Sequence, residues 1–473
     1  MLTRVVDRAA EQFGDRIAYV TAEGSSISYR ELRGRSLRAA AWLRQRGVGD
    51  GDVVALVLPA TVDYLALYLG AARIGAITAG INARLTADER GQLLAIAEPA
   101  LVVNEAPNPS STDALKDTEA LPLDPERPVA IVFTSGTTGL PKGAVFANRQ
   151  LEAITAIDTG GQWDAGGAQL AGNSFASLGP MTKLPGNLMR GGTTILVERW
   201  RAHEALELTE QHRLTAVAGI PTQIALMLRD PDFASRDLSS VRAIVMGGGP
   251  ATASLIRDAR QAFDAALSVR YSCTEAGIGL GTAFDAPVED AEISVGRPHE
   301  GVELTIVDDD LQPVAAGNIG EVCLRSAAVM SGYWQNAEAT AAAFTSSGAV
   351  RTGDLGWVDE HGRLRLAGRR KEMYVRGGYN VFPMEVEDVL AAHPDVAQIA
   401  VVARTDDVMG EIGVAFVVGR SPNEVPSLQE LRDFGAPKLA SYKLPEQLVV
   451  LDALPLTPAE KVDRRALART LVR

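Results

Sequence analysis

Short β-branched runs bounded by turn residues alternate with helical patterns through the first half of this chain, and that alternation restricts its fold more than any other feature. Val53–Leu58 precedes Tyr64–Ala72, Leu214–Val217 precedes Gln223–Leu228, and Val241–Met246 precedes Ala253–Phe263, with the apolar run Val129–Phe133 among them. Such alternation predicts parallel sheets covered by helices. From Val302 the spacing shortens to strands with acidic and glycine turns, Glu303–Val307 and Glu321–Leu324, which predicts a small β-barrel or antiparallel sheet. A fresh α+β pattern follows the charged stretch Gly368–Glu372: helix Met384–Ala392, strands Ile399–Ala403 and Val414–Val418, helix Leu428–Phe434 and a last helix from Asp463. With 473 residues the chain exceeds what one core can bury. The expected class is α/β: a large N-terminal domain, residues 1–370, of parallel sheets covered by helices with a β-barrel-like subdomain, and a small α+β C-terminal domain, residues 371–473. The Pro-, Ser- and Asp-rich stretch Glu105–Pro128 reads as a surface excursion, because strands resume directly after it.

The formal charge of −13 disfavours a general nucleic-acid surface, which needs clustered Lys and Arg. The two cysteines, Cys273 and Cys323, lie far apart and outside metal-ligand spacing, so neither a disulfide framework nor a zinc site is indicated and a reducing cytoplasm fits. Met1–Val20 mixes charges with its apolar residues and lacks the core of a signal peptide. The longest apolar stretch, Tyr64–Ile81, carries Arg73 near its middle and several glycines, which marks a buried helix and turn rather than a membrane span.

The sharpest local signal is Thr134-Ser135-Gly136-Thr137-Thr138-Gly139-Leu140-Pro141-Lys142-Gly143, set directly after the apolar strand. Its glycines let backbone amides approach an anion, its hydroxyls supply rotatable donors, and Lys142 supplies charge, so the loop suits a polyphosphate. It is not a Walker A loop, because Pro141 stands where that motif needs its second glycine. Nor does Gly247-Gly248-Gly249-Pro250 meet the dinucleotide fingerprint, since the third glycine is absent and Pro250 interrupts the turn.

Thr134–Gly143 resembles the signature loop of the adenylate-forming superfamily, which includes acyl-CoA synthetases, nonribosomal-peptide adenylation domains and firefly luciferase. Later motifs follow in the family's order. Gly247–Pro250 is similar to the adenine-contacting turn, and Tyr271-Ser272-Cys273-Thr274-Glu275 to the Tyr-Gly-x-Thr-Glu element, with Ser272 replacing the usual glycine. Arg351–Asp354 matches the ribose-binding element, Gly368–Glu372 the hinge, and Gly377–Val381 with Pro383–Glu387 the start of the small domain. Lys461 lies where the late catalytic lysine is found. One such motif could arise by chance; six in order essentially could not.

The resemblance implies an acid–thiol ligase, an acyl-CoA or aryl-CoA synthetase. A carboxylic acid and ATP give an acyl-adenylate and pyrophosphate, and coenzyme A then takes the acyl group and releases AMP. It further implies that Thr134, Ser135, Gly136, Thr137, Thr138, Gly139 and Lys142 hold the β- and γ-phosphates, Thr274 the α-phosphate, and Glu275 a Mg²⁺ ion. Gly248, Gly249 and Pro250 would meet adenine, Tyr271 would stack on it, and Asp354 with Arg369 would hold the ribose. Lys461 would bridge the substrate carboxylate and the α-phosphate. The small domain would be a mobile lid turning about Lys371, with Gly377 and Gly378 letting a pantetheine arm pass.

The chain departs from the pattern in places. The residue before the catalytic lysine is usually glycine, and here it is Glu460. Thr182 and Lys183 replace an aromatic residue and a histidine in Pro180–Pro185, and His203, His212, His299, His361 and His393 match no catalytic position. Lys183 reads either as a ligand for a carboxylate or as a solvated loop lysine, the latter preferred. Gly277, Gly279 and Gly281 leave room for a bulky acid or reflect backbone crowding. Arg464, Arg465, Arg469 and Arg473 would meet the CoA phosphates or simply be solvated. Alternatives to the CoA ligase are an enzyme that loads a separate carrier protein, a luciferase-like oxidase of the adenylate, and a non-catalytic nucleotide-binding regulator; the partners otherwise expected are a small carboxylic acid, no nucleic acid and no membrane insertion.

Overall fold

The computed structural model describes residues 1–107, 120–134, 141–197, 199–421, 425–458 and 460–471. Its central sheet has six strands in the order Gly332–Tyr333, Lys142–Ala147, Pro128–Thr134, Ile77–Gly80, Val53–Leu56 and Leu101–Val103. The last four are mutually parallel, and the first two are antiparallel to their neighbours. Val54 and Leu56 pack into the core with helices Leu2–Phe13, Tyr29–Gln45 and Val62–Ile74, whereas Val53 and Ala55 face Leu93 and Ala97 of helix Ala87–Ala97. Burial on both faces is why this strand reads as an unbroken apolar run. Arg73, inside the longest apolar stretch, is buried against Asp7 at 2.5 Å. No helix among the described residues is long and apolar enough to cross a membrane.

A second sheet sets parallel strands Ala216–Gly219, Ala243–Gly247 and Ala266–Tyr271 side by side and continues antiparallel into Leu280–Gly281 and Arg297–Pro298. Helices Pro221–Leu228 and Ala253–Phe263 pack against it. The carboxyl ends of its strands deliver Gly248–Pro250 and Ser272–Glu275, the edge at which open α/β sheets bind ligands. The stretch expected to be barrel-like is a four-stranded antiparallel sheet of Glu303–Val307, Gly320–Arg325, Val350–Val358 and Leu364–Arg369. From Tyr374 onward a five-stranded sheet carries helices Pro383–Leu390 and Leu428–Gly435 on one face and Arg464–Thr470 on the other. Its two apolar clusters draw on residues of this C-terminal stretch.

Helix Ala253–Phe263 has the bounds read from sequence, but strand Val396–Asp406 runs well beyond the expected Ile399–Ala403. It pairs with Gly410–Gly419 as a long two-stranded ribbon; Val396 at one end stays in the core, while Arg404–Asp406 at the other is polar and carries no apolar signal. Pro180–Pro185 is not a loop but part of helix Leu178–Arg190, with Pro185 in its interior. Met181, Leu184 and Leu188 are buried at helical spacing and hold it in place. Pro185 has no amide for the Met181 carbonyl four residues back. The buried Tyr68 hydroxyl supplies that donor instead, at 2.7 Å. Tyr68→Phe should therefore lower stability by about 2 kcal/mol in urea unfolding, the cost of an orphaned buried carbonyl. Adding Pro185→Ala, which restores an amide, should recover part of that loss; no recovery would contradict this reading of the helix.

Candidate active site

Asp354, on strand Val350–Val358, is a carboxylate with 6% of its surface exposed. Its Oδ2 accepts from the Tyr271 hydroxyl at 2.7 Å, and its Oδ1 meets Arg369 Nε at 3.0 Å. Antiparallel register sets Asp354 opposite Arg369, while Tyr271 arrives at the end of a strand of the second sheet. An unpaired buried carboxylate would cost several kcal/mol, and its two partners remove that penalty. Each oxygen keeps a second lone pair, so both can still accept from neighbouring hydroxyls. Burial and then the Asp354 charge push the Tyr271 phenol well above its ordinary range, so it remains a donor. Burial works against the Arg369 cation, but Asp354 and then Glu372 hold its pKa above the usual arginine value.

The C-terminal stretch brings Lys461 to the same place. A tight turn, with the Thr457 amide donating to the Lys461 carbonyl at 2.7 Å and the Glu460 amide to the Thr457 carbonyl at 2.8 Å, carries the lysine into the cleft. Its ammonium is open to the cleft, yet the surrounding walls thin out the water. That desolvation, then Arg369, lowers its pKa from the ordinary lysine value, while Asp354 acts in the opposite sense.

Elsewhere in the cleft lining, Thr134 pairs with Lys142 at the adjoining ends of strands Pro128–Thr134 and Lys142–Ala147. Ser135, Gly136, Thr137, Thr138 and Gly139 lie outside the described residues. Lys142 Nζ stands 4.9 Å from the centre of the Tyr333 ring, and the Tyr333 hydroxyl donates to Glu275 Oε1 at 2.7 Å. The Met330 amide also donates to the Glu275 carbonyl at 2.9 Å. The segment 330–334 thus ties the Thr274–Glu275 loop to the strand leaving the phosphate loop. Glu275 also has the Cys273 thiol beside it, and burial and then the Glu275 charge push that thiol well above its ordinary range. A carboxylate lining the cleft suits Mg²⁺, a hard cation that prefers oxygen ligands. Gly248 has φ +79°, a left-handed conformation that favours glycine, and it turns Gly249 and Pro250 into the cleft wall with Thr274.

Of the other predicted residues, Lys371, Lys183, Gly277, Gly279 and Arg464 also line the cleft. Lys371 is exposed in the turn after Arg369, where the Glu372 amide returns to the Arg369 carbonyl at 3.0 Å. Gly377 and Gly378, at φ +54° and +87°, form a two-residue hairpin between Tyr374–Arg376 and Tyr379–Val381, away from the cleft lining. Lys183 is neither a solvated loop lysine nor a free ammonium: it pairs with Asp158 at 3.1 Å, and Asp158 also takes Arg190 at 2.6 Å. Crowding accounts for the pocket glycines. A Cβ on Gly277 would meet the Ala328 carbonyl at 2.5 Å, and one on Gly279 the Tyr271 carbonyl at 2.5 Å. One on Gly281 would meet the Arg270 guanidinium at 2.4 Å. His299 is half-buried, with Nε2 3.3 Å from Arg270. Arg464 is committed to Glu387 at 2.6 Å rather than displayed for a phosphate, and Arg473 lies outside the described residues.

The model of the AMP-binding enzyme family matches residues 6–334, and that of the AMP-binding enzyme C-terminal domain matches residues 385–461, ending on Lys461. The chain belongs to the AMP-binding enzyme family. A fatty acid–[acyl-carrier-protein] ligase, ScoC of Streptomyces coeruleorubidus, is 32% identical over 95% of this chain and 92% of its own length. An indoleacetate–CoA ligase of Aromatoleum aromaticum is 33% identical over 92% of this chain and 91% of its own. Among solved structures, the amide bond synthetase McbA from Marinactinospora thermotolerans superposes with a TM-score of 0.86 at 28% identity, covering 99% of each chain. The motif-based assignment to the adenylate-forming superfamily therefore stands, and this AMP-binding enzyme is an AMP-forming ligase.

Sequence reasoning missed Tyr333, Gln223 and Arg84. Tyr333 reaches Glu275 only because strand Gly332–Tyr333 pairs with Lys142–Ala147, which no local pattern announces. Gln223 and Arg84 meet Glu460, and the replaced glycine at 460 was the available signal. The Lys461 environment is directly testable by following its side-chain resonance during titration. Arg369→Gln removes a cation that disfavours the ammonium and should raise the Lys461 pKa; Asp354→Asn removes an anion that favours it and should lower it. Equal midpoints in both variants and the parent would contradict the geometry.

Proposed function

We propose that this enzyme activates a carboxylic acid with ATP and transfers the acyl group to the thiol of coenzyme A. The observation that carries the reading is the convergence of Lys461 from the C-terminal stretch on Asp354, Arg369 and Tyr271 of the body, in one cleft with Thr274, Glu275 and Lys142. In the first half-reaction an oxygen of the substrate carboxylate attacks the α-phosphorus, the bond to the bridging oxygen breaks, and pyrophosphate leaves. Two anions must meet, so positioning and charge neutralisation do most of the catalysis. The Lys461 ammonium lies between them, Lys142 and the phosphate loop draw the β- and γ-phosphates away, and Asp354 orients the ribose. Mg²⁺ beside Glu275 supplies further neutralisation when bound.

In the second half-reaction the thiol sulfur attacks the acyl carbonyl carbon, loses its proton, and AMP departs. We assign residues 371–473 as a lid that turns about Lys371 between the two steps, withdrawing Lys461 and bringing Gly377 and Gly378 to the thiol. The self-contained apolar clusters after Tyr374 support such a rigid lid. Similarity to an acyl-carrier-protein ligase keeps transfer to a carrier protein as the second reading. The test is ATP–pyrophosphate exchange over a panel of organic acids, followed by CoA, a phosphopantetheinylated carrier and amines as acceptors. Exchange with at least one acid and consumption of CoA are expected; no pyrophosphate release from folded protein that binds ATP would end the proposal, and oxygen-dependent consumption of the adenylate would point to an oxidase.

Lys461→Ala should cut exchange by about two to three orders of magnitude, as expected for a group aimed at transition-state charge, while thioester formation from supplied acyl-adenylate stays within a few-fold. Equal loss of both half-reactions would remove Lys461 from its assigned role. Lys371→Pro should do the opposite, slowing thioester formation more than exchange, because a hinge must absorb the backbone change.

A further inference from the structure

Glu460 occupies an unfavourable backbone conformation. Its φ is +61°, in the left-handed region that L side chains rarely adopt and that suits the glycine usual at this position in the family. The carboxylate reaches out of the lysine turn to the body. Gln223 Nε2 donates to Glu460 Oε2 at 2.7 Å, and Arg84 Nη1 lies 3.4 Å from Oε1. Gln223 is a preformed receptor: it is 2% exposed, and its Oε1 accepts from the Ile220 amide at 3.1 Å at the start of helix Pro221–Leu228, which leaves Nε2 aimed at the lid. Glu460 is itself shielded, with 16% of its side chain exposed, so its contacts are less weakened by solvent than those of a surface pair. A second ion pair between the two parts among the described residues, Arg420 with Asp258, is longer at 3.6 Å and half-exposed at both ends.

We propose that Glu460 is a positioning residue that latches the lysine turn to Gln223 and Arg84, and so holds Lys461 in the site during adenylation. The latch has to open before the lid can turn for thioester formation. A glycine at 460 would satisfy the turn better but would hold nothing, so the side chain is retained against the backbone preference for the contacts it makes. The inference rests on the reading of Lys461 as the residue of the first half-reaction, and it predicts a bias in lid position that can be observed without turnover.

The test compares Glu460→Ala, Glu460→Gly and Glu460→Gln with the parent in two measurements. The first is the distance distribution between spin labels on the body and the lid, introduced as Ser235→Cys and Lys438→Cys at exposed positions. The second is the ratio of pyrophosphate exchange to thioester formation from supplied adenylate. Loss of a charge-assisted hydrogen bond should lower exchange about tenfold in Glu460→Ala and Glu460→Gly with thioester formation unchanged or faster. Both should broaden the distances into a second population. Glu460→Gln keeps an acceptor for Gln223 and should fall between them and the parent. An unaltered distance distribution in Glu460→Ala would overturn the latch whatever the activities. Absence of exchange in the parent with every acid would instead overturn the functional reading, and the distances would still decide the latch.

Discussion

A buried carboxylate has to be partnered, and the partners of Asp354 are what bring this molecule's parts into one site. Tyr271 comes from the end of the second parallel sheet and Arg369 from the neighbouring antiparallel strand, and the charge of Lys461, from the C-terminal stretch, is felt alongside them without an ion pair to Asp354. None of these groups is expensive once the others are present: the phenol remains a donor, the guanidinium remains charged, and the carboxylate keeps lone pairs for a further hydroxyl. Left unpaired, Asp354 would be a liability to the fold. The same arrangement that stabilises the junction between sheets therefore builds a receptor for a polar, hydroxylated group, with a cation beside it where negative charge can be received.

The C-terminal stretch meets the body differently. Its own two apolar clusters are closed within residues after Tyr374, and its charged contacts with the body at Glu460 and Arg420 are polar and few-membered. Polar contacts of this kind can be exchanged for water at small net cost, whereas an apolar seam could not. A C-terminal stretch with a complete core of its own is what the proposed two-position lid would need, since it could change position without unfolding. Close packing constrains the segment after Glu275: glycines 277, 279 and 281 are there because backbone and guanidinium atoms leave no space for a Cβ.

Much of this was legible in the sequence because it depends on local chemistry. Apolar runs at strand spacing revealed the parallel strands, helix Ala253–Phe263 was readable to its ends, and the motifs from Thr134 to Lys461 named the family before any geometry was known. What was not legible depends on contacts between distant segments. Lys183 reads as a loop residue in the sequence, yet it stands in a helix whose interior Pro185 lacks an amide and in which Tyr68, over a hundred residues away, supplies a donor. Tyr333 next to Glu275 is a consequence of one edge-strand pairing. Glu460 was visible as a departure from the usual glycine, but its meaning needed Gln223 and Arg84 across the cleft.

The central claim is that the Asp354 junction and the Lys461 ammonium form one nucleotide site. A crystal structure of the protein grown with AMP tests it most directly. The account predicts ribose hydroxyls within hydrogen-bonding distance of Asp354, and the phosphate near Thr274 with Lys461 Nζ reaching toward it. AMP bound elsewhere, with Asp354 still contacting only Tyr271 and Arg369, would contradict it.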